Sequence, residues 1–389
     1  MLNLTLYVEV CTMKHGIRFM GVVAILACSS LLFAAGTKET QAAPAPEKTM
    51  THDELVAAAK AEGTLTIYTH SSRTAKAAEG FTAKYGIKVE TTQLKDSEMV
   101  DKVSKEAAAN LDAADVIFCQ DGSRVYPELI LTGDIVNYIP DSLKGQFFDE
   151  KYSNPFVWEM VTKLFIYNNE KGGSPISNVW QLTEPGFKGR LMFKDPFSEG
   201  VNMNFFTMVT REDWAAKLAE SYKKLYGKDI VLTTKNAGYE WIKGLYKNGA
   251  VLGKSDTTLA ENIGAKGQDV QLMGLFTSNK LRTAKAKNLS LAICDNLKPF
   301  NGFMYPAYVF ITKNAKSPNA AKLYIEYSTT EEGWTPFNTQ GDYSPLKPIM
   351  LNKEDNTTTE QWSKTLVVED PSWCAEARSD VEEFISTLL

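Results

Sequence analysis

Four polar residues lie where the first apolar strand of the sequence meets a helix. After the β-branched run Leu65–Tyr68, the chain continues into an amphipathic helix through His70, Ser71, Ser72 and Arg73. The first N–H groups of a helix have no partner within it, and their partial positive charge suits an anion. Serine hydroxyls can also donate to an anion, and arginine binds a phosphate or carboxylate through two hydrogen bonds. The junction therefore predicts a site for an anionic ligand.

Each of these residues also fits a structural role. Ser72 is a typical helix N-cap, Arg73 is a typical solvated side chain, and His70 is equally consistent with packing at the strand end. Both interpretations stay open at the level of the sequence.

Three later segments repeat this arrangement of small polar residues after a strand. The segment FCQDGSRV ends a strand at a helix start, KDPFSEGVNMNF runs into another helix, and GLFTSNKLR ends a strand in a polar loop. Gly122 lets a ligand approach the backbone closely. The candidate ligand residues here and at a later extended strand are Gln120, Asp121, Gly122, Ser198, Glu199, Gly200, Asn202, Thr277, Ser278, Lys280 and Tyr305. The alternatives are helix capping by Asp121 or Ser123, a surface loop over 277–282, and core packing of Tyr305.

The inventory of reactive residues argues against an enzyme or a metal site. The sequence has three histidines, of which His15 and His52 precede the folded body and leave His70. It contains neither the nucleophile elbow G-x-S-x-G nor the phosphate loop G-x-x-x-x-G-K-[ST]. The cysteines of the body lie far apart, with no C-x-x-C pair, at Cys119, Cys294 and Cys374. We therefore expect no catalytic residue, no metal and no cofactor, with an exported enzyme as the alternative.

Composition and order of segments indicate a large α/β protein. The chain has 389 residues, of which 44% are hydrophobic, so it can bury a large core and form two lobes. Its formal charge of −5 and the absence of a basic run in the sequence argue against nucleic-acid binding. Strand-like runs alternate with helical stretches of ten to fifteen residues, which predicts βαβ units and a parallel sheet. Ligands of such sheets bind beyond the carboxyl ends of the strands.

The first 36 residues read as a secretory signal. Lys14 and Arg18 precede an apolar run from Phe19 to Ala35. The sequence ILAC ending at Cys28 resembles a bacterial lipobox, which would place a lipid on that cysteine. Simple cleavage near Phe33–Gly36 is the alternative. Residues 37–61 are expected to form a tether and a first helix.

Residues 60–350 resemble the bacterial extracellular solute-binding proteins of ABC importers. The branch concerned contains ferric-iron, thiamine, phosphonate and sugar-phosphate binders. The segments that carry the resemblance are IYTHSSR, ADVIFCQDG, IYNNEKGG, FKGRLMFKDP, AYVFITKNAKSPNAAKLYIEY and GDYSPLKPI. The resemblance implies a class II periplasmic-binding-protein fold, with two lobes joined by two hinge strands near Trp158–Tyr167 and Met304–Thr312.

The resemblance also implies a division of the chain. Lobe one would comprise 62–158 plus 310–350, the hinge strands and lobe two 159–309, and a C-terminal segment, 351–389, would pack on the outside of the body. A small-molecule solute would bind between the lobes and be enclosed by hinge motion. The expected partner is a membrane permease, the expected location is the periplasm or the extracellular face of the cell envelope, and a monomer is expected. Contact with the membrane would be made only through the lipid anchor.

The resemblance bears on the ligand class as well. The iron-binding members carry adjacent tyrosines in the loop where this sequence has Phe276, Thr277 and Ser278, so direct binding of ferric iron is not expected and remains the alternative. The predicted cleft loops carry four cations, Arg73, Arg124, Lys280 and Arg282, against three acids, Asp121, Asp195 and Glu199. This balance favours a polar, anionic organic solute such as a sugar phosphate or phosphonate. A surface adhesin or structural lipoprotein, which needs no cleft, is the remaining hypothesis.

Overall fold

The structure, a computed structural model, describes residues 50–111, 114–284 and 286–389. The predicted signal, the lipobox at Cys28, the alternative cleavage site at Phe33–Gly36 and the tether up to Thr49 lie outside the described residues. Within them, the helices that the sequence pattern predicts after the first two strands are present.

Strands and helices alternate along most of the chain. The strands are β1 (Leu65–Thr69), β2 (Val89–Gln93), β3 (Val116–Cys119), β4 (Ile135–Val136), β5 (Val157–Asn168), β6 (Leu191–Lys194), β7 (Val251–Gly253), β8 (Met273–Thr277), β9 (Leu291–Ile293), β10 (Gly302–Thr312), β11 (Asp342–Tyr343) and β12 (Val367–Val368). The helices are α1 (His52–Glu62), α2 (Arg73–Tyr85), α3 (Asp96–Ala108), α4 (Gly122–Val125), α5 (Gly200–Thr210), α6 (Glu212–Tyr226), α7 (Ala237–Lys247), α8 (Asp256–Gly264), α9 (Leu281–Ala284), α10 (Pro318–Ser328), α11 (Glu331–Trp334), α12 (Thr359–Ser363) and α13 (Pro371–Ser386).

The first lobe is built on parallel strands in the order β2-β1-β3. Strand β3 is fully buried because its four residues are apolar, and α2 buries one face that includes Ala77, Ala78 and Phe81. The Phe81 ring meets Tyr324 of α10 edge-on, with 5.1 Å between ring centroids. Helix α2 ends where Gly86 adopts a φ of 71°, a conformation that glycine takes at little cost. This core fixes the carboxyl end of β1 and the start of α2, where the first group of candidate residues lies.

The second lobe is built on parallel strands in the order β8-β6-β7. Its core is rich in aromatic side chains, and the Phe300 ring lies 5.8 Å from Phe205 and 5.7 Å from Trp241. Helix α5 runs through this core, and every residue from Val201 to Thr210 is buried. Its first residue, Gly200, follows the loop after β6. The strand and the helix therefore present the second group of candidate residues at a fixed position.

Two long strands run through both lobes. Strands β5 and β10 pair antiparallel at the centre of the sheet, and each is buried along its whole length. Strand β10 pairs with β3 of the first lobe, and β5 pairs with β8 of the second. Their pairing shifts register between Ala307 and Tyr308. These are the two hinge strands predicted near Trp158–Tyr167 and Met304–Thr312, and the fold is the two-lobed α/β architecture predicted from the sequence.

The C-terminal helix packs against both lobes. Helix α13 contacts α4, which follows β3, and α5 of the second lobe. The Phe384 ring meets Tyr239 of α7 edge-on at 5.0 Å. The segment therefore contacts both lobes. Across the residues described, no helix combines the length and the apolar character needed to cross a bilayer.

Candidate solute-binding cleft

The junctions singled out in the sequence surround one cavity between the lobes. The cavity has a volume of about 760 Å³, and both Ser71 of the first lobe and Ser198 of the second line it. The predicted site residues on its wall are His70, Ser71, Ser72, Arg73, Gln120, Asp121, Ser198, Glu199, Gly200, Thr277, Lys280 and Tyr305. The carboxyl ends of β1, β3, β6 and β8 thus converge on one cleft, as expected for strands that end at the same edge of a sheet.

Three predicted site residues lie behind this wall. Gly122 packs against α13, because a Cβ built on it would lie 2.6 Å from Pro371 Cβ. Asn202 is 1% exposed, and its amide joins second-lobe residues behind the wall. Ser278 is fully buried, with its hydroxyl 2.5 Å from Thr162 Oγ1. These three residues pack behind the wall, and the structure does not bring them to the surface of the cleft.

Arg73 is held in a buried ion pair. Its Nη1 donates to Asp342 Oδ2 at 2.6 Å and to Thr339 Oγ1 at 3.1 Å, and its Nη2 lies 3.5 Å from Glu159 Oε1. The guanidinium also lies 5.0 Å from the centre of the Phe337 ring. Burial opposes the charged form, but the two carboxylates raise the pKa of Arg73. Arg73 is therefore not a freely solvated side chain, and its guanidinium is already bound by carboxylates of the protein.

The surroundings of His70 favour its protonated form. Its Nδ1 lies 3.1 Å from the carbonyl oxygen of Phe118, which can only accept, and its Nε2 lies 3.4 Å from Glu159 Oε2. Burial lowers the pKa of His70, but Glu159 and Asp96 together outweigh burial, and the net shift is upward.

The two buried carboxylates of this cluster differ in their surroundings. Burial opposes ionisation of Glu159, but His70 and Arg73 together lower its pKa. Burial raises the pKa of Asp342 to about 6; Arg73 opposes this rise and Glu159 adds to it. Asp342, which lies on the cleft wall, is therefore protonated more easily than Glu159.

Two lysines hold Glu199 in the second lobe. Lys163 on β5 is fully buried; its Nζ donates to Glu199 Oε2 at 2.6 Å and to Asn202 Oδ1 at 2.8 Å. Lys194 Nζ lies 3.1 Å from Glu199 Oε1. Burial opposes the charged form of Lys163, but Asp256 and Glu199 raise its pKa. The negative charge of Glu199 is therefore balanced by lysines of the protein itself.

The loop after β8 adds further positive charge. The Thr277 hydroxyl donates to Asp256 Oδ2 at 2.8 Å, and Lys280 and Arg282 continue along the cleft wall. Burial is the main cause that lowers the pKa of Lys280; Asp256 and Asp342 oppose the shift, and Arg282 and Arg73 add to it. Lys280 and Arg282 therefore bring two basic side chains to this part of the wall.

Tyr305 packs in the core and also reaches the cavity wall. It is 3% exposed, stacks on Phe303 at 5.7 Å between ring centroids, and still contributes to the cavity wall. Burial and the acids around it raise the pKa of its phenol well above the usual value. Tyr305 therefore presents a neutral aromatic surface to the cleft.

Asp121 reaches from the first lobe to the first residue of α5. Its backbone has a φ of 55°, which is uncommon outside glycine and asparagine, and its side chain does not cap α4. Asp121 Oδ1 accepts hydrogen bonds from Ser123 Oγ at 2.7 Å, Asn204 Nδ2 at 3.1 Å and Arg378 Nη1 at 3.0 Å. A Cβ built on Gly200 would lie 1.9 Å from Asp121 Oδ2, so only glycine fits there without displacing the carboxylate.

Sequence reasoning missed several polar residues of the wall: Asp96, Lys194, Asn279, Asp342 and Arg378. Asp96 Oδ1 accepts from the backbone N–H of Gln120 at 2.8 Å, and its position at the start of α3 was the signal that could have found it. Asp342 lies in the segment GDYSPLKPI, which carries part of the family resemblance, but it is not among the predicted site residues. Arg378 comes from α13, and nothing local in the sequence connects it to the cleft.

Two lobes joined by long hinge strands, with a polar cleft between them, define the class of two-lobed solute-binding proteins. A sequence model described as "Bacterial extracellular solute-binding protein" matches residues 76–364. The chain belongs to this family. A search of curated proteins found no match.

Solved structures of the same architecture cover most of the chain. The iron-bound HitA protein of Pseudomonas aeruginosa aligns with a TM-score of 0.65 and 19% identity over 84% of this chain and 99% of its own. A substrate-binding protein of an ABC transporter from Agrobacterium tumefaciens aligns with a TM-score of 0.63 and 17% identity over 84% and 94%. AfuA of Actinobacillus pleuropneumoniae, with fructose-6-phosphate bound, aligns with a TM-score of 0.60 and 19% identity over 84% and 97%. At these identities the likeness concerns the fold.

Proposed function

We propose that this protein is the substrate-binding component of an ABC importer and captures a small, polar, anionic organic solute in the interlobe cleft. The observation that carries the proposal is the charge of the cleft wall. Seven lysines and arginines line it against five aspartates and glutamates, and the raised pKa of His70 favours a further positive charge. An electropositive, partly enclosed cavity attracts and holds anions.

The anionic group of the solute would bind between the start of α2 and the loop after β8. The first-lobe side offers the Ser71 and Ser72 hydroxyls at the amino end of a 13-residue helix. The second-lobe side offers Lys280 and Arg282. Burial is the main cause of the lowered pKa of Lys280, and an anion bound beside the ammonium group would favour its charged form.

Ferric iron fits this wall less well. The cleft tyrosine among the described residues is Tyr305, whose phenol is buried and whose pKa is raised, so the phenolate that would bind a hard ferric ion is disfavoured. Among the described residues, no cluster of three or more histidine, cysteine, aspartate or glutamate side chains has a geometry that could hold a metal ion. The loop after β8 has Phe276, Thr277 and Ser278 where the iron-binding members carry tyrosines. HitA is iron-bound, but its likeness to this chain is one of fold.

Thermal unfolding with a panel of solutes tests the proposal. The panel contains fructose 6-phosphate, methylphosphonate, citrate, thiamine and ferric citrate. A solute at a hundredfold excess over its Kd stabilises the folded state by about 2.7 kcal/mol. We expect stabilisation by one or more of the iron-free anions, and weaker binding of that anion to Lys280→Ala. Lys224→Ala is the matched control, because Lys224 lies exposed on α6.

Other outcomes would support the other hypotheses. Stabilisation by ferric citrate alone would support the iron binder, and a panel without effect would favour a structural lipoprotein. Chemical turnover of a stabilising solute would indicate an exported enzyme. Unchanged affinity for the identified anion in both Arg73→Ala and Lys280→Ala would refute the anionic interpretation.

We also propose that the protein is exported, acts as a monomer with a membrane permease, and touches the membrane only through a lipid on Cys28. Amino-terminal sequencing of the mature protein checks this. A blocked terminus with incorporated fatty acid supports the anchor, whereas a free terminus near Phe33–Gly36 supports simple cleavage.

A further inference from the structure

One acid of the cleft wall has no ion pair among the described residues. The acids of the wall are Asp96, Glu98, Asp121, Glu199 and Asp342. Four of them pair with a lysine or an arginine: Glu98 with Lys95 at 3.3 Å, Asp121 with Arg378 at 3.0 Å, Glu199 with Lys163 at 2.6 Å and Asp342 with Arg73 at 2.6 Å. Within the part of the chain that the structure describes, Asp96 is the wall acid that lacks such a partner.

The carboxylate of Asp96 is fixed on one side and open on the other. Its Oδ1 accepts the backbone N–H of Gln120 at 2.8 Å. Its Oδ2 accepts no hydrogen bond from the residues that the structure describes, yet it is not sealed in the interior, and Asp96 lines the cavity. A carboxylate held in this way presents one oriented acceptor to the space between the lobes.

The surroundings of Asp96 leave this acceptor short of donors. Burial is the main cause that raises the pKa of Asp96, and His70 and the Gln120 N–H oppose the rise. The charges of Asp121 and Glu199 add to it, and the net shift is upward. A partly buried carboxylate is stabilised by each hydrogen bond that it accepts, and such bonds are stronger than those between neutral groups. A donor on the solute would therefore supply what the protein does not.

A purely structural role of Asp96 is also consistent with its position. Asp96 is the first residue of the 13-residue helix α3, where an acid suits the partial positive charge of the helix end. Asp53, in the first turn of α1, has the same relation to its helix, but it is exposed and lies off the cleft wall. The two acids therefore separate stabilisation of a helix from contact with a solute.

We propose that Asp96 is a specificity-determining residue that accepts a hydrogen bond from a hydroxyl or ammonium group of the solute. The inference rests on the proposed binding of an anionic organic solute and adds a second requirement to it. The solute would carry its anionic group and, at a separate position, an O–H or N–H donor that reaches Asp96. Sugar phosphates and amino-alcohol phosphates meet both requirements, whereas simple alkyl phosphates meet only the first.

Matched pairs of solutes test this requirement on the wild-type protein by titration calorimetry. Fructose 6-phosphate is compared with hexyl phosphate, which keeps a six-carbon chain and the phosphate but has no hydroxyl group on the chain. Phosphoethanolamine is compared with ethyl phosphate, which lacks the ammonium group. We expect the donor-bearing member of at least one pair to bind at least about tenfold more tightly, because a hydrogen bond to a charged acceptor contributes on the order of tenfold or more to affinity. The pair that shows this preference identifies the donor as a hydroxyl or an ammonium group.

The variant Asp96→Asn assigns the preference to this residue. The amide keeps an oxygen for the Gln120 N–H, but it removes the charged acceptor. We expect the affinity for the donor-bearing solute to fall by at least about tenfold, with little change for its donor-free partner. Asp53→Asn, the matched control, should leave both affinities unchanged. If Asp96→Asn does not fold, Asp96→Ser, which also removes the charge, takes its place.

The remaining outcomes separate this inference from the proposed function. Equal affinities within both pairs, or an equal loss for both members of a pair in the Asp96 variant, would overturn the inference and leave the proposed function standing, because the anionic group would still bind. A preference for the donor-bearing member that persists unchanged in the Asp96 variant would overturn the inference as well. Failure of every anion in both pairs and in the earlier panel would refute the proposed function itself, together with the inference.

Discussion

Replacement of Lys163 by methionine should destabilise the protein strongly, because it removes one partner of a buried ion pair. Lys163 is fully buried on a hinge strand, and its ammonium group donates to Glu199 at 2.6 Å and Asn202 at 2.8 Å. Methionine keeps most of the side-chain volume, so the loss concerns charge and hydrogen bonds rather than a cavity. Removing one partner from a buried pair typically costs about 3–5 kcal/mol. Glu199 keeps Lys194 at 3.1 Å, but the buried carboxylate of Asp256 loses the ammonium group 3.9 Å away, so we expect a loss within the range of about 3–5 kcal/mol.

Urea unfolding followed by tryptophan fluorescence measures this loss. Lys224→Met is the matched control, because Lys224 pairs with Glu220 on the exposed face of α6, where solvent screens the ion pair and its loss should be small. The double variant Lys163→Met with Glu199→Gln should lose less than the sum of the two single variants, because the neutral amide no longer needs a charged partner. The reasoning is refuted if Lys163→Met unfolds with the free energy of the control, or if the two substitutions are simply additive.

Three further predictions concern buried groups near the cleft. Burial, with Asp121 adding to it, raises the pKa of Glu369 to about 8, so the folded state loses stability as the pH rises from about 4.5 to 8. In denaturant titrations, the free energy of unfolding of Glu369→Gln should therefore increase relative to the wild type by on the order of 3 kcal/mol between pH 5 and pH 8. A difference in free energy of unfolding that does not change over that range would contradict the raised pKa. Because its pKa is raised above the ordinary value of 6.5, His70 should show mainly two protonated ring nitrogens by nitrogen NMR at pH 6.5, and a single protonated nitrogen at that pH would contradict this prediction. Gly122→Ala should lower the free energy of unfolding by about 1–3 kcal/mol, because its methyl group would lie 2.7 Å from Tyr308 Oη. The methyl group of Gly173→Ala would point into open space, so this control variant should have nearly the wild-type stability when both are compared by thermal unfolding.

The architecture was accessible from the sequence because its signals are local. The apolar run of β3 and the alternation of strands with helices predict the parallel sheet, and Gly86 ends α2 as a glycine after a helix typically does. The two hinge strands came from resemblance to a family, since a continuous apolar run does not by itself reveal that a strand crosses between lobes. The helix starts that face the cleft were identified for the same local reasons.

The partners of the cleft residues were not accessible, because they are distant in the chain. Arg73 was considered as a ligand clamp or a solvated side chain, and its actual partner, Asp342, lies 269 positions away. Asn202 lies on a helix that is buried on all sides. The periodicity of such a segment does not show which of its faces is turned towards the cleft. Arg378 comes from a helix whose packing depends on the completed fold.

The position of α13 has a consequence for how the protein matures. Arg378 is the last of the cleft residues along the chain, and it secures a carboxylate that lies more than 250 positions earlier. Helix α13 also supplies Cys374, Val381 and Ile385 to the buried core of the second lobe, so this core is completed only when the last residues of the chain join it. A chain shortened before Pro371 would lack both Arg378 on the cleft wall and these three core side chains.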